Sequence, residues 1–166
     1  VQVAHGPADP ARGSSGGPAR PPRRDRVEEL AARLSEVGLD VTVRDSEAFA
    51  LWTKLAMLAP VALLTTWAGA PIGEARSRHH DELVALVREA AEAAGAEGVE
   101  LDPEATIRRL EGLPPGMRSS MLKDAEAGQP IELDAIGGAV LRAAARGGVD
   151  VPVTAKLVAD LQARTG

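Results

Sequence analysis

The chain has 166 residues, enough for one core of ordinary size and too few for two full domains, so one domain plus a fragment is expected. Aromatic residues make up 2%, which leaves the core to aliphatic side chains on closely packed helices and argues against a β-sandwich. The net charge is -5 with arginines spread along the chain, so no basic stripe marks a nucleic-acid surface, and without cysteine there is neither a disulfide framework nor thiolate chemistry.

The first residues lack the basic start, apolar run and small-residue cleavage site of a secretory signal, and a cytoplasmic location is expected. From Gly6 to Pro22 the chain is rich in Gly, Pro, Ser and Arg and reads as a loop. Asp25 is a candidate N-cap with Glu28 three positions later. The stripe Val27, Leu30, Ala31, Leu34 and Val37 then predicts a short helix that stops at Gly38. Leu39 to Val43 alternates like a strand, and its nearest candidate partner is Val1 to Ala4.

From Asp45 onward the pattern is helical. A central apolar helix is expected from Asp45 or Ser46 to about Gly69. Its length approaches the ~20 residues that cross a bilayer. Lys54 and Pro60 interrupt it, however, and an apolar helix is equally at home in the centre of an all-helical domain, so no membrane is expected as a partner. Leu83, Leu86, Val87, Ala90, Ala91 and Ala94 mark a second helix ending at Gly95. Asp102 before Pro103 opens a short third one, which Leu113-Pro114-Pro115-Gly116 stops. Three more are expected over Ser119 to Ala127, Glu132 to Arg146 and Thr154 to Ala163.

Lys54 is the charged residue in the middle of the central apolar helix. It either extends its alkyl stem to water or serves as a proton donor in a cleft, where partial desolvation brings an ammonium closer to neutral pH. Glu132 opens an amphipathic helix, where the dipole favours a carboxylate. Of Ser119 and Ser120, one is expected to cap a helix and the other to offer a hydroxyl to a ligand. His79-His80 reads as a solvated pair, because no further metal ligands accompany it. No G-x-G-x-x-G follows a strand, so nothing in the sequence is equipped to cradle a dinucleotide pyrophosphate.

Leu51-Trp52-Thr53-Lys54-Leu55, then Ser119-Ser120-Met121-Leu122-Lys123-Asp124, then Glu132-Leu133-Asp134-Ala135-Ile136 resemble, in this order and spacing, the ketopantoate reductase family. The resemblance covers residues 40 to 166. It implies a mainly α fold, with an all-helical C-terminal domain of the 6-phosphogluconate dehydrogenase C-terminal-like type over residues 45–166. Residues 1–44 would be a short α/β remnant of the end of a Rossmann nucleotide-binding domain. Such enzymes transfer a hydride from NADPH to the ketone of 2-dehydropantoate, giving pantoate for coenzyme A biosynthesis. By this resemblance Lys54 is the general acid, Glu132 lies beside the cofactor ribose, and Ser120, with Ser119, binds the substrate. NADP as cofactor, a small keto-acid-like substrate and a homodimer follow in the same way. The family also carries asparagines on the central helix and just past its end, where this chain has Leu58, Ala62 and Ile72. Losing those amides implies a substrate larger or more apolar than ketopantoate, or a site without activity. The chain is accordingly expected to be the C-terminal portion of an NADPH-dependent reductase. The alternatives are a stand-alone helical module that binds an apolar ligand or partner without redox chemistry, and a dimerisation module.

Overall fold

The computed structural model describes residues 23–37 and 47–165. The chain divides into two compact units, residues 1–43 and 44–166. In the first, the described element is α1 (Arg23–Glu36). It starts two residues before Asp25, so Asp25 lies inside the first turn rather than at the cap. Arg33 Nη2 donates to Glu29 Oε1 at 2.6 Å, one turn back along the exposed face. The strands expected at Val1 to Ala4 and Leu39 to Val43 lie outside the described residues.

The second unit is all helical among the described residues, with α2 (Glu47–Ala68), α3 (Ile72–Arg78), α4 (His80–Ala96), α5 (Pro103–Glu111), α6 (Ser120–Glu126), α7 (Leu133–Gly147) and α8 (Pro152–Thr165). Helix α2 is the axis, and each of α3 to α8 packs against it. It is long and apolar enough to cross a membrane, but half of its apolar window is buried within the protein. That burial is uneven. Ala59 to Thr66 are buried on every side, whereas Leu51, Lys54 and Leu58 in the N-terminal half are exposed. Pro60, which has no N–H for the Ala56 carbonyl, sits where the two halves meet.

With few aromatics available, the core is closed by small residues that let helices approach. A Cβ on Gly137 of α7 would lie 2.5 Å from Val158 Cγ2 and 3.1 Å from Leu63 Cδ2, so this glycine brings α7 directly onto α2 and α8. Helix α7 ends as its sequence demands, with Gly148 in the left-handed conformation (φ 66°).

Helix α3 was not anticipated, because seven residues give no readable period and Pro71 and His79 look like the approach to α4. Tertiary contacts hold it. Ile72 N donates to Met117 O and Gly73 N to Pro115 O, each at 2.9 Å, and Arg76 Nη1 donates to the Leu110 and Leu113 carbonyls at 2.9 and 3.1 Å.

Candidate functional site

The exposed half of α2 borders a cavity of about 330 Å³ shared with α7 and the end of α4. Its apolar wall is Leu51, Trp52, Leu55, Leu58 and Ala139, and its polar wall is Lys54, Glu97 and Arg146. Leu51, Lys54 and Leu58 follow one another at helical spacing and so share one stripe. Lys54 is exposed, and no carboxylate of a described residue lies within ion-pair distance of it.

The other two charges in the cavity are mutually engaged. Trp52 Nε1 donates to Glu97 Oε2 at 2.9 Å, and Arg146 Nη2 pairs with Glu97 Oε1. The Arg146 hydrogen bond first, and that from Trp52 second, hold the Glu97 carboxyl below its ordinary value. Glu97 thereby fixes the Trp52 ring as a wall of the cavity. Neither Glu97 nor Arg146 carried a sequence signal, because they lie 45 and 94 residues beyond Trp52 and meet it only through the packing of α4 and α7 on α2.

The serine pair is resolved by burial and capping. Thr65 Oγ1 donates its one proton to Val61 O at 2.7 Å, so at its 2.7 Å contact with Ser119 the serine hydroxyl must be the donor. Ser119 Oγ also accepts from Leu122 N at 3.0 Å as the N-cap of α6, and the residue is buried. Of the two serines, Ser119 is thus the buried cap, while Ser120 is exposed at the first position of α6. Glu132 is exposed at the N-cap position of α7, and its side chain makes no capping bond. Neither Ser120 nor Glu132 lines the Lys54 cavity. Thr65, which anchors Ser119, stands about 16 Å beyond Lys54 along α2.

The three positions where the family resemblance led to asparagine expectations separate in the same way. Leu58 is 38% exposed in the cavity wall, whereas Ala62 and Ile72 are buried in the core. His79 meets the Trp67 ring edge-on at 4.8 Å, and His80 Nε2 lies 3.3 Å from Glu111 Oε1, so the two histidines face different neighbours. One further carboxylate escaped the sequence reading. Buried Glu89 of α4 accepts from the backbone N–H groups of Val153 and Thr154 and from the Thr154 hydroxyl, capping α8 from another helix.

Residues 49–165 match the family described as Ketopantoate reductase PanE/ApbA C terminal. The chain belongs to the ketopantoate reductase family. It is 30% identical over 145 residues to the uncharacterized oxidoreductase YkpB of Bacillus subtilis, an alignment covering 84% of this chain and 48% of that protein. It is 32% identical over 144 residues to the 2-dehydropantoate 2-reductase of Caulobacter vibrioides, covering 82% and 48%. Among solved structures, a D-mandelate dehydrogenase in a ternary structure with NADH and anilino(oxo)acetate superposes with a TM-score of 0.75. That match has 25% identity and covers 89% of this chain and 64% of the other. The chain spans about half the length of the curated relatives it matches. The helical unit is a ketopantoate reductase-like C-terminal domain, as its motifs and mainly α architecture implied.

Proposed function

We propose that this chain is the substrate-binding portion of an NADPH-dependent reductase of 2-oxo acids, with Lys54 as the proton donor. The observation that carries the reading is an ammonium without a carboxylate partner among the described residues, at the wall of an apolar cavity on the helix that holds the family motif. Its charge can stabilise the negative charge that develops on a carbonyl oxygen held against that wall. NADPH, when bound, would supply the hydride to the ketone carbon. As the C=O π bond breaks, Lys54 Nζ gives a proton to the oxygen, and a 2-hydroxy acid is formed. Relatives named as a 2-dehydropantoate 2-reductase and as a D-mandelate dehydrogenase, the latter with NADH and anilino(oxo)acetate, support this substrate class.

The residues present fit the nucleotide at one point. The Glu132 carboxylate is exposed and unused by its own helix, so it is free to accept hydrogen bonds from ribose hydroxyls. The described residues contain no strand followed by a glycine-rich turn, so the pyrophosphate has to be held elsewhere.

The test compares wild type with Lys54→Ala in a form extended upstream of Val1, following NADPH oxidation with a panel of 2-oxo acids. The variant should lose roughly 10²- to 10⁴-fold in kcat with a smaller change in KM, and added alkylamine should restore part of the rate. Unchanged kcat would remove Lys54 from the chemistry. The apolar cavity also favours a second reading, a module that binds an apolar acid without redox chemistry. Saturable binding of such an acid by a protein that oxidises no NADPH with any of the panel would select it.

A further inference from the structure

In the second unit, Leu51 and Leu58 are the large hydrophobic side chains that remain exposed, at 62% and 38%, and both border Lys54. Scattered exposed leucines need no explanation. Two confined to one stripe, three residues before and four after a lysine without a described carboxylate partner, form a patch around it. Behind them Leu55, Ala139 and the Trp52 ring complete an apolar concavity. Its volume of about 330 Å³ lies at the lower end of the roughly 300–1,000 Å³ that accommodates small organic ligands. The wall is built to keep its shape, because Trp52 is held by Glu97, which is held in turn by Arg146.

These observations bear on which 2-oxo acid the site takes. We infer that the cavity beside Lys54 receives a bulky apolar side chain, so the preferred substrate is an aryl or branched-alkyl 2-oxo acid. The inference rests on the reading of Lys54 as proton donor. With its carbonyl oxygen at Lys54 Nζ, an oxo acid carries the substituent of its ketone carbon within reach of Leu58, one helical turn away. An apolar substituent removes Leu58 and Leu51 from water, whereas a hydroxylated one places polar groups against aliphatic walls that offer them no hydrogen bond. Leu58 is the specificity-determining residue in this arrangement. It is exposed, so its replacement by a polar residue leaves the core untouched.

The experiment measures kcat/KM for NADPH-dependent reduction of phenylglyoxylate, 4-methyl-2-oxopentanoate, pyruvate and 2-dehydropantoate by the upstream-extended protein and its Leu58→Asn variant. Calorimetric titration of phenylglyoxylate into the 166-residue chain, without nucleotide, reads the cavity independently of turnover. The two apolar acids should exceed pyruvate and 2-dehydropantoate by about 10- to 200-fold, and Leu58→Asn should shrink that ratio about tenfold while phenylglyoxylate binding weakens in parallel. Preference for pyruvate or 2-dehydropantoate, or a ratio unmoved by Leu58→Asn, overturns the inference and leaves the reductase reading standing. If no acid is reduced yet phenylglyoxylate binds and Leu58→Asn weakens it, the cavity assignment stands and the reductase reading falls. Absence of both reduction and binding overturns both.

Discussion

Replacing Glu89 by alanine would remove the acceptor from three donors at once. Glu89 Oε1 receives the Val153 N–H at 2.8 Å, and Oε2 receives both the N–H and the hydroxyl of Thr154 at 2.7 Å. Glu89 is 7% exposed and Thr154 1%, so water cannot take over at Thr154, although it can at the half-buried Val153. Two buried donors without an acceptor cost about 1–3 kcal/mol each, and loss of a helix cap about 1 kcal/mol, part of which is the same energy. A net loss of about 3 kcal/mol follows. For a chain of this size each kcal/mol moves Tm by about 2–4 °C, so thermal unfolding followed by helical circular dichroism should shift down by about 6–12 °C. Glu89→Gln keeps one carbonyl oxygen for Thr154 and should recover roughly half of the shift. A Tm within about 2 °C of wild type for the alanine variant would show that the carboxylate does not hold the start of α8.

Two further predictions concern the neighbourhood of the site. The Glu97 carboxyl is depressed by Arg146 and Trp52, so its contribution to stability is complete above the ordinary value of 4.5 and is lost as pH falls from there through its folded-state value. Glu97→Gln should therefore flatten the acid limb of the stability profile below about pH 4.5 and leave its neutral limb parallel to wild type; equal slopes in acid would contradict the pairing. Ser119→Ala should lower Tm by about 2–4 °C through loss of the cap on α6. Ser120→Ala should leave Tm unchanged, because its exposed hydroxyl does not cap α6. Reversal of these two phenotypes, read by melting curves, would reverse the assignment of the pair.

The helices that the sequence disclosed are those whose own residues carry both period and punctuation. Helix α5 begins at Pro103 after the Asp102 cap, whose side chain accepts from Ala105 N at 3.0 Å, and α7 closes on Gly148 as its glycines indicated. What stayed hidden depends on partners distant in sequence. Helix α3 exists because Met117 and Pro115 bind its first N–H groups, and Glu89 caps a helix more than sixty residues away. The Trp52–Glu97–Arg146 wall is of the same kind. Lys54 was legible because a charge in an apolar run is conspicuous on its own. Which serine faced inward was not, since that depends on Thr65, more than fifty residues earlier, meeting Ser119 across the packed helices.

The two halves of α2 also explain how its polar positions can change. From Ala59 to Thr66 every side of the helix is buried, and an asparagine at position 62, or at the buried position 72 after it, would need partners inside the core, at about 1–3 kcal/mol for each unsatisfied group. Before Pro60 the helix faces the cavity, and at position 58 water can satisfy an amide that no protein group meets. Polarity next to Lys54 can therefore be restored by a change at position 58 with little effect on the fold, whereas the same change at 62 or 72 requires the core to be rebuilt around it. Polarity beside Lys54 and stability of the fold are separable at Leu58 and inseparable at the other two sites.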